Sequence, residues 1–84
     1  MSDDLITRVT NVIAKTQHIP PESVTIDKTF EELKIDSLDG MNILFAVESE
    51  FNVDIPDDAA KSIRSVREMA EGIEKLLAAK ETNQ

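Results

Sequence analysis

The stretch "KIDSLDGMNILFAVESEF", Lys34 to Phe51, decides the fold. Asp36 reads as an N-cap, because its short carboxylate can accept from backbone N–H groups that a first helical turn leaves unpaired. Asp39, three residues on, is a short-armed version of the acid that closes a capping box. Behind them Leu38, Met41, Ile43, Leu44, Phe45, Val47 and Phe51 keep a helical rhythm, which predicts a helix ending near Phe51.

Advancing roughly 100° per residue puts Leu38, Met41 and Phe45 on one face and Ile43, Leu44, Val47 and Phe51 on another. A surface helix needs only one apolar stripe. Two readings stay open. The helix lies centrally and buries nearly everything, or the second group faces the core and the first stays exposed as anchors for a partner.

Working outward, Leu5, Ile6, Val9, Val12 and Ile13 form one stripe of a helix over about Asp3–Thr16, with Ser2 and two aspartates at its positive end. Pro20 and Pro21 break it. Residues 17–35 read as a long connection pinned by Ile19, Val24, Ile26, Phe30, Leu33 and Ile35, with a short helical turn near Phe30–Leu33. After Pro56, Asp57 opens a short turn, "DDAAKS". The closing segment "SVREMAEGIEKLLA" has a Ser65–Glu68 capping box and an apolar face of Val66, Met69, Ala70, Ile73, Leu76 and Leu77. No alternating strand pattern appears. The predicted fold is all-α: a small four-helix bundle of three principal helices and one short one, with a long first loop.

Eighty-four residues are read as a single domain, 1–84, since domains typically hold about 100–150. No apolar run nears the roughly 20 residues a bilayer span needs, and "MSDDLITRV" is acidic where a signal peptide is basic. A cytoplasmic monomer is expected. There is no Cys, hence no disulfide framework, no Cys-based zinc site and no thiol of the chain's own. A net charge of −8 argues against nucleic acid, which needs Lys and Arg to displace counterions. Nearly all of it lies between Ile35 and Ala60: Asp36, Asp39, Glu48, Glu50, Asp54, Asp57 and Asp58, with no Lys or Arg. Such a field steers basic partners.

Ser37 sits inside that field. A nucleophilic serine needs a base within hydrogen-bond reach. The only histidine, His18, lies in the proline loop, and Asp36 and Asp39 oppose alkoxide formation. No catalytic residue is assigned. A calcium loop with Gly40 in its sixth position lacks two required carboxylates, because Ile35 and Ala46 stand there, and no metal site is assigned. With Asp36 as cap, the Ser37 hydroxyl is left free at the start of a helix. That position suits attachment of an anionic group, because a phosphodiester there meets unpaired N–H groups and the positive dipole end.

"DSLD" opening a helix, followed by "FAVESEFNVDIPD", resembles the acyl carrier protein family, with its peptidyl carrier relatives, over essentially the whole chain. The resemblance implies that Ser37, flanked by Asp36, Leu38 and Asp39, accepts a 4′-phosphopantetheine arm from a carrier-protein synthase. It implies that the arm's thiol holds acyl groups as thioesters for partner enzymes of fatty acid, lipid or related biosynthesis. Leu38, Asp39, Met41, Asn42, Phe45, Glu48 and Asp57 would meet acyl-transfer, condensing or acyl-activating enzymes through basic and apolar patches. The acyl chain would tuck against Phe30, Ile43, Val47, Ile55, Ile63 and Met69. The chain departs from the fatty-synthesis pattern at Lys34-Ile35, at Asn42 and at Ser49, which suggests a specialised rather than a housekeeping carrier. Two alternatives stand beside this: an aminoacyl or peptidyl carrier, and an unmodified acidic helical module that binds through Leu38, Met41 and Phe45.

Overall fold

The computed structural model describes residues 3–82. Helix α1 spans Asp3–Gln17, α2 Ser37–Phe51, α3 Asp57–Ser62 and α4 Val66–Thr82. Among the described residues there is no strand ladder, only one isolated antiparallel bridge between Thr29 and Ser65. The expected all-α bundle is what forms, and α1 lies against both α2 and α4. Ser2, read as part of the start of α1, lies outside the described residues.

Burial follows the helical period. Leu5, Val9 and Ile13 of α1 meet Ile43, Val47 and Phe51 of α2 and Val66, Met69, Ala70 and Ile73 of α4 in one core. Val24 and Ile55 enter it from the loops. Each fully buried aliphatic side chain contributes about 1.5–3 kcal/mol, so these few residues supply most of the drive for so short a chain. No buried side-chain nitrogen or oxygen is left without a partner among the described residues.

The long first connection is pinned, as its apolar residues suggested, but by more than they announced. Pro21–Ser23 forms a 3₁₀ turn, with proline at the position where a missing N–H costs nothing. Phe30 N–H donates to Arg64 O at 2.9 Å and Val66 N–H to Lys28 O at 3.0 Å, tying the loop to the start of α4. Thr29 and Glu32 then exchange bonds: Thr29 N–H donates to Glu32 Oε1 at 2.9 Å, and Glu32 N–H to Thr29 Oγ1 at 3.0 Å. This is a capping box on a single turn, 29–34, which stays a turn and does not extend into a helix. Phe30 lies within this turn and Ile35 just after it, and Ile35 N–H donates back to Phe30 O at 2.9 Å.

Both expected caps form, each with one difference. Asp36 Oδ1 accepts from Asp39 N–H at 2.8 Å, but no return bond from the Asp39 carboxylate forms among the described residues. An aspartate is one methylene too short to reach back. At α4, Glu68 N–H donates to Ser65 Oγ at 3.1 Å, while the Glu68 carboxylate accepts from Arg64 N–H at 3.0 Å, one residue earlier than the usual box. Helix α2 ends where Asn52 takes the left-handed conformation at φ 55°, a C-cap that asparagine tolerates.

Candidate functional site: the head of α2 and its cleft

Ser37 is the first residue of α2 and is exposed. Its local placement follows from the sequence: Asp36 is extended (φ −86°, ψ −175°), and its side chain occupies the cap. The first intrahelical bond runs from Gly40 N–H to Asp36 O at 2.8 Å. The N–H groups of Ser37 and Leu38 therefore precede the hydrogen-bonded ladder. The Ser37 hydroxyl makes no hydrogen bond among the described residues. An outward hydroxyl, free N–H groups and the positive helix end together fit a covalently held phosphodiester.

A cleft of about 690 Å³ opens beside this serine, between α2, α3 and the start of α4. Ser37 and Asp36 stand at its edge, with Phe30 and Ile35 from the first loop, Met41, Leu44 and Phe45 from α2, and Ile55, Ala60, Ile63 and Met69 beyond. The walls are mostly apolar, and Glu48, Asp57 and Lys61 are the other charged groups. Such a space holds a hydrocarbon segment and leaves its polar end at the rim.

The expected pocket residues divide. Phe30, Ile55, Ile63 and Met69 line the cleft. Ile43 and Val47 do not: both are wholly buried on the side of α2 that meets the core. The reason is rotational. Leu44 lies round the helix from them toward α3, is half-buried, and takes the wall position assigned to its neighbours. Sequence periodicity separated inner from outer faces but not core from cleft. Gly40 and Leu44 were missed as lining residues for the same reason, and Ile35, Ala60 and Lys61 because the approach of the first loop and α3 to α2 is set by packing and not by period.

The question left open about α2 is answered. Leu38 is 73% exposed, Met41 52% and Phe45 61%, so the helix does not bury everything. Met41 and Phe45 also form the rim of the cleft, which makes the apolar stripe continuous with it. Asn42 and Asp57 are exposed and Asp39 half-exposed, all able to meet a partner. Glu48 behaves differently: it is half-buried, and its Oε2 accepts from Ile55 N–H at 2.7 Å. Among the described residues no cluster of His, Cys, Asp or Glu could hold a metal ion. None of their helices is long and apolar enough to cross a membrane.

The family model described as "Phosphopantetheine attachment site" matches residues 7–73, from α1 through most of α4. The chain belongs to the acyl carrier protein family. It is 36% identical to the acyl carrier protein of Phenylobacterium zucineum, over 90% of this chain and 98% of that one. It is 32% identical to that of Thermosynechococcus vestitus, over 90% and 95%. The mitochondrial acyl carrier protein of Dictyostelium discoideum is 39% identical over 92% of this chain, which spans 64% of that longer relative. The carrier is thus a non-catalytic protein that bears 4′-phosphopantetheine, serves the enzyme that attaches it and serves enzymes that handle acyl groups. A carried arm is consistent with acyl handling by a chain that has no cysteine of its own.

Proposed function

We propose that Ser37 is the attachment residue and that the carrier presents acyl thioesters to enzymes of fatty acid or related lipid biosynthesis. The observation that carries this is the exposed, unbonded hydroxyl at the head of α2, behind the Asp36 cap and at the edge of an apolar cleft. In the attachment step the Ser37 oxygen bonds to the phosphorus of coenzyme A's phosphopantetheine. The pyrophosphate P–O bond breaks, adenosine 3′,5′-bisphosphate departs and the hydroxyl proton goes to a base of the transferase. The carrier's own part is to hold that oxygen outward and to stabilise the resulting phosphodiester with the Ser37 and Leu38 N–H groups. When bound, the arm supplies a terminal thiol that carries acyl groups as thioesters.

Docking falls to Leu38, Met41 and Phe45, with Asp39 and Asp57 drawing in basic surfaces. The uncharged Asn42 on the same exposed face supports a specialised set of partners. The acyl chain lies along Phe30, Leu44, Ile55, Ile63 and Met69. A reducing compartment such as the cytoplasm suits a terminal thiol, although one relative is named as mitochondrial.

The test is intact mass after incubation with a phosphopantetheinyl transferase and coenzyme A. Wild type gains one phosphopantetheine and Ser37→Ala gains none. An arm on Ser37→Ala, or none on wild type with several transferases, overturns the assignment.

A further inference from the structure

From the Glu48–Ile55 bond we infer that Glu48 is a latch that positions the α2–α3 loop and so sets which acyl chains the cleft protects, an inference that rests on the carrier reading above. Three observations meet at this residue. Glu48 Oε2 accepts from Ile55 N–H at 2.7 Å, a short charge-assisted bond across seven residues of chain. Ile55 is buried and belongs to the core, yet it also lines the cleft, as does Glu48 itself. The main chain of Glu48 serves the same loop, its carbonyl accepting from Val53 N–H at 3.1 Å and from the Asn52 cap.

One residue thus ends α2 with its carbonyl and fixes the following loop with its carboxylate. Pro56, next after Ile55, leads directly into α3, so the angle at which Ile55 is held also sets where α3 begins. Residues of α3 and its end, Ala60 and Ile63, form the opposite wall of the cleft. Unlatching the loop therefore frees a wall of the space that holds cargo. Glu48 does not touch the arm's attachment point, and its role is positioning.

Its acidity made Glu48 look like a docking charge, and two substitutions separate that role from a latch. Glu48→Gln keeps the reach and an acceptor oxygen but loses the charge. Glu48→Asp keeps the charge but withdraws the carboxylate by one methylene. The first readout is hydrogen exchange at the Ile55 amide in the unmodified chain, with the Ile73 amide as reference. Glu48→Asp is expected to speed Ile55 exchange by about tenfold or more, and Glu48→Gln, which keeps a neutral acceptor at the same reach, by less than about fivefold. The second readout is hydroxylamine cleavage of thioesters on modified carriers bearing saturated chains of increasing length. Glu48→Asp should shift the length at which protection is greatest, and Glu48→Gln should not.

Ile55 exchange unchanged in Glu48→Asp, or an unchanged protection profile despite faster exchange, overturns the inference. So does a Glu48→Gln chain that behaves as Glu48→Asp should. The exchange measurement needs no arm, so failure of the Ser37 assignment would show separately, as an unmodified mass.

Discussion

Arg8 lies over the ring of Phe51, its guanidinium carbon 4.4 Å from the centroid, while its Nη2 donates to Glu50 Oε2 at 3.1 Å and to Glu50 O at 3.2 Å. One side chain of α1 thus caps the core at Phe51, pairs with an acid and satisfies a carbonyl near the end of α2. The acidic segment, which contains no base of its own, borrows one from another helix.

Arg8→Met keeps the apolar stem and removes the charge. The expected cost is about 1 kcal/mol, combining a cation–π contact with a partly exposed ion pair. Urea midpoints should show that cost shrinking at high salt, because the pair is screened. A cost equal at low and high salt would assign the effect to the ring contact alone.

The Asp36 cap is expected to matter to folding as well as to attachment. Asp36→Ala should lose about 1 kcal/mol by urea denaturation, whereas Asp36→Asn, which keeps an acceptor oxygen, should lose only a few tenths. Equal losses in the two would place the effect in charge near the helix end.

The two faces of α2 should separate stability from partner recognition. Ile43→Ala opens a space in a wholly buried position and should cost about 2–5 kcal/mol. Phe45→Ala, at an exposed site, should change stability by less than about 0.5 kcal/mol. It should instead slow modification by a transferase about fivefold or more, as loss of an anchoring aromatic does. A Phe45→Ala chain modified at the wild-type rate would remove Phe45 from the docking surface.

Gly72 lies inside α4, and a Cβ there would sit 3.6 Å from Ile63 Cδ1, ordinary contact distance. Gly72→Ala should therefore raise stability by about 0.5–1 kcal/mol, since alanine is the better helix former and restricts the unfolded chain. A fall in melting temperature would mean that Ile63 cannot accept the added methyl.

Glu32 supplies a pH dependence with a definite sign. The Thr29 backbone N–H, then the Thr29 side chain and to a lesser degree nearby Lys28, hold its carboxyl below the usual carboxylate range. A depressed folded-state value means the contribution is complete above the unfolded pKa and disappears as pH falls through the folded one. Wild type should thus exceed Glu32→Gln in stability at neutral pH, and the gap should close in acid below the usual carboxylate range. A gap that persists there would trace to the changed side chain and not to its ionisation.

Much of this architecture was legible residue by residue. Asp36, Ser65 and Glu68 marked helix starts, because capping chemistry is local and short-ranged. The turn near Phe30–Leu33 was expected from its apolar residues, but the Thr29–Glu32 box that starts it was not, although it follows the same local pattern. Leu38, Met41 and Phe45 were separable from Ile43, Val47 and Phe51 by rotation alone. Leu44 was not, since a helical wheel gives angles relative to the helix and says nothing of which neighbour stands at each angle.

What the chain determined by itself was where helices begin and end, and that a serine stands uncovered at the head of one of them. Both follow from interactions within a few residues. Packing alone decided that Leu44 and not Ile43 or Val47 walls the cleft, that Arg8 answers Glu50, and that the Glu48 carboxylate turns inward to Ile55. Those choices depend on how separate segments meet, and a contact between distant residues leaves no period or spacing in the sequence that would announce it.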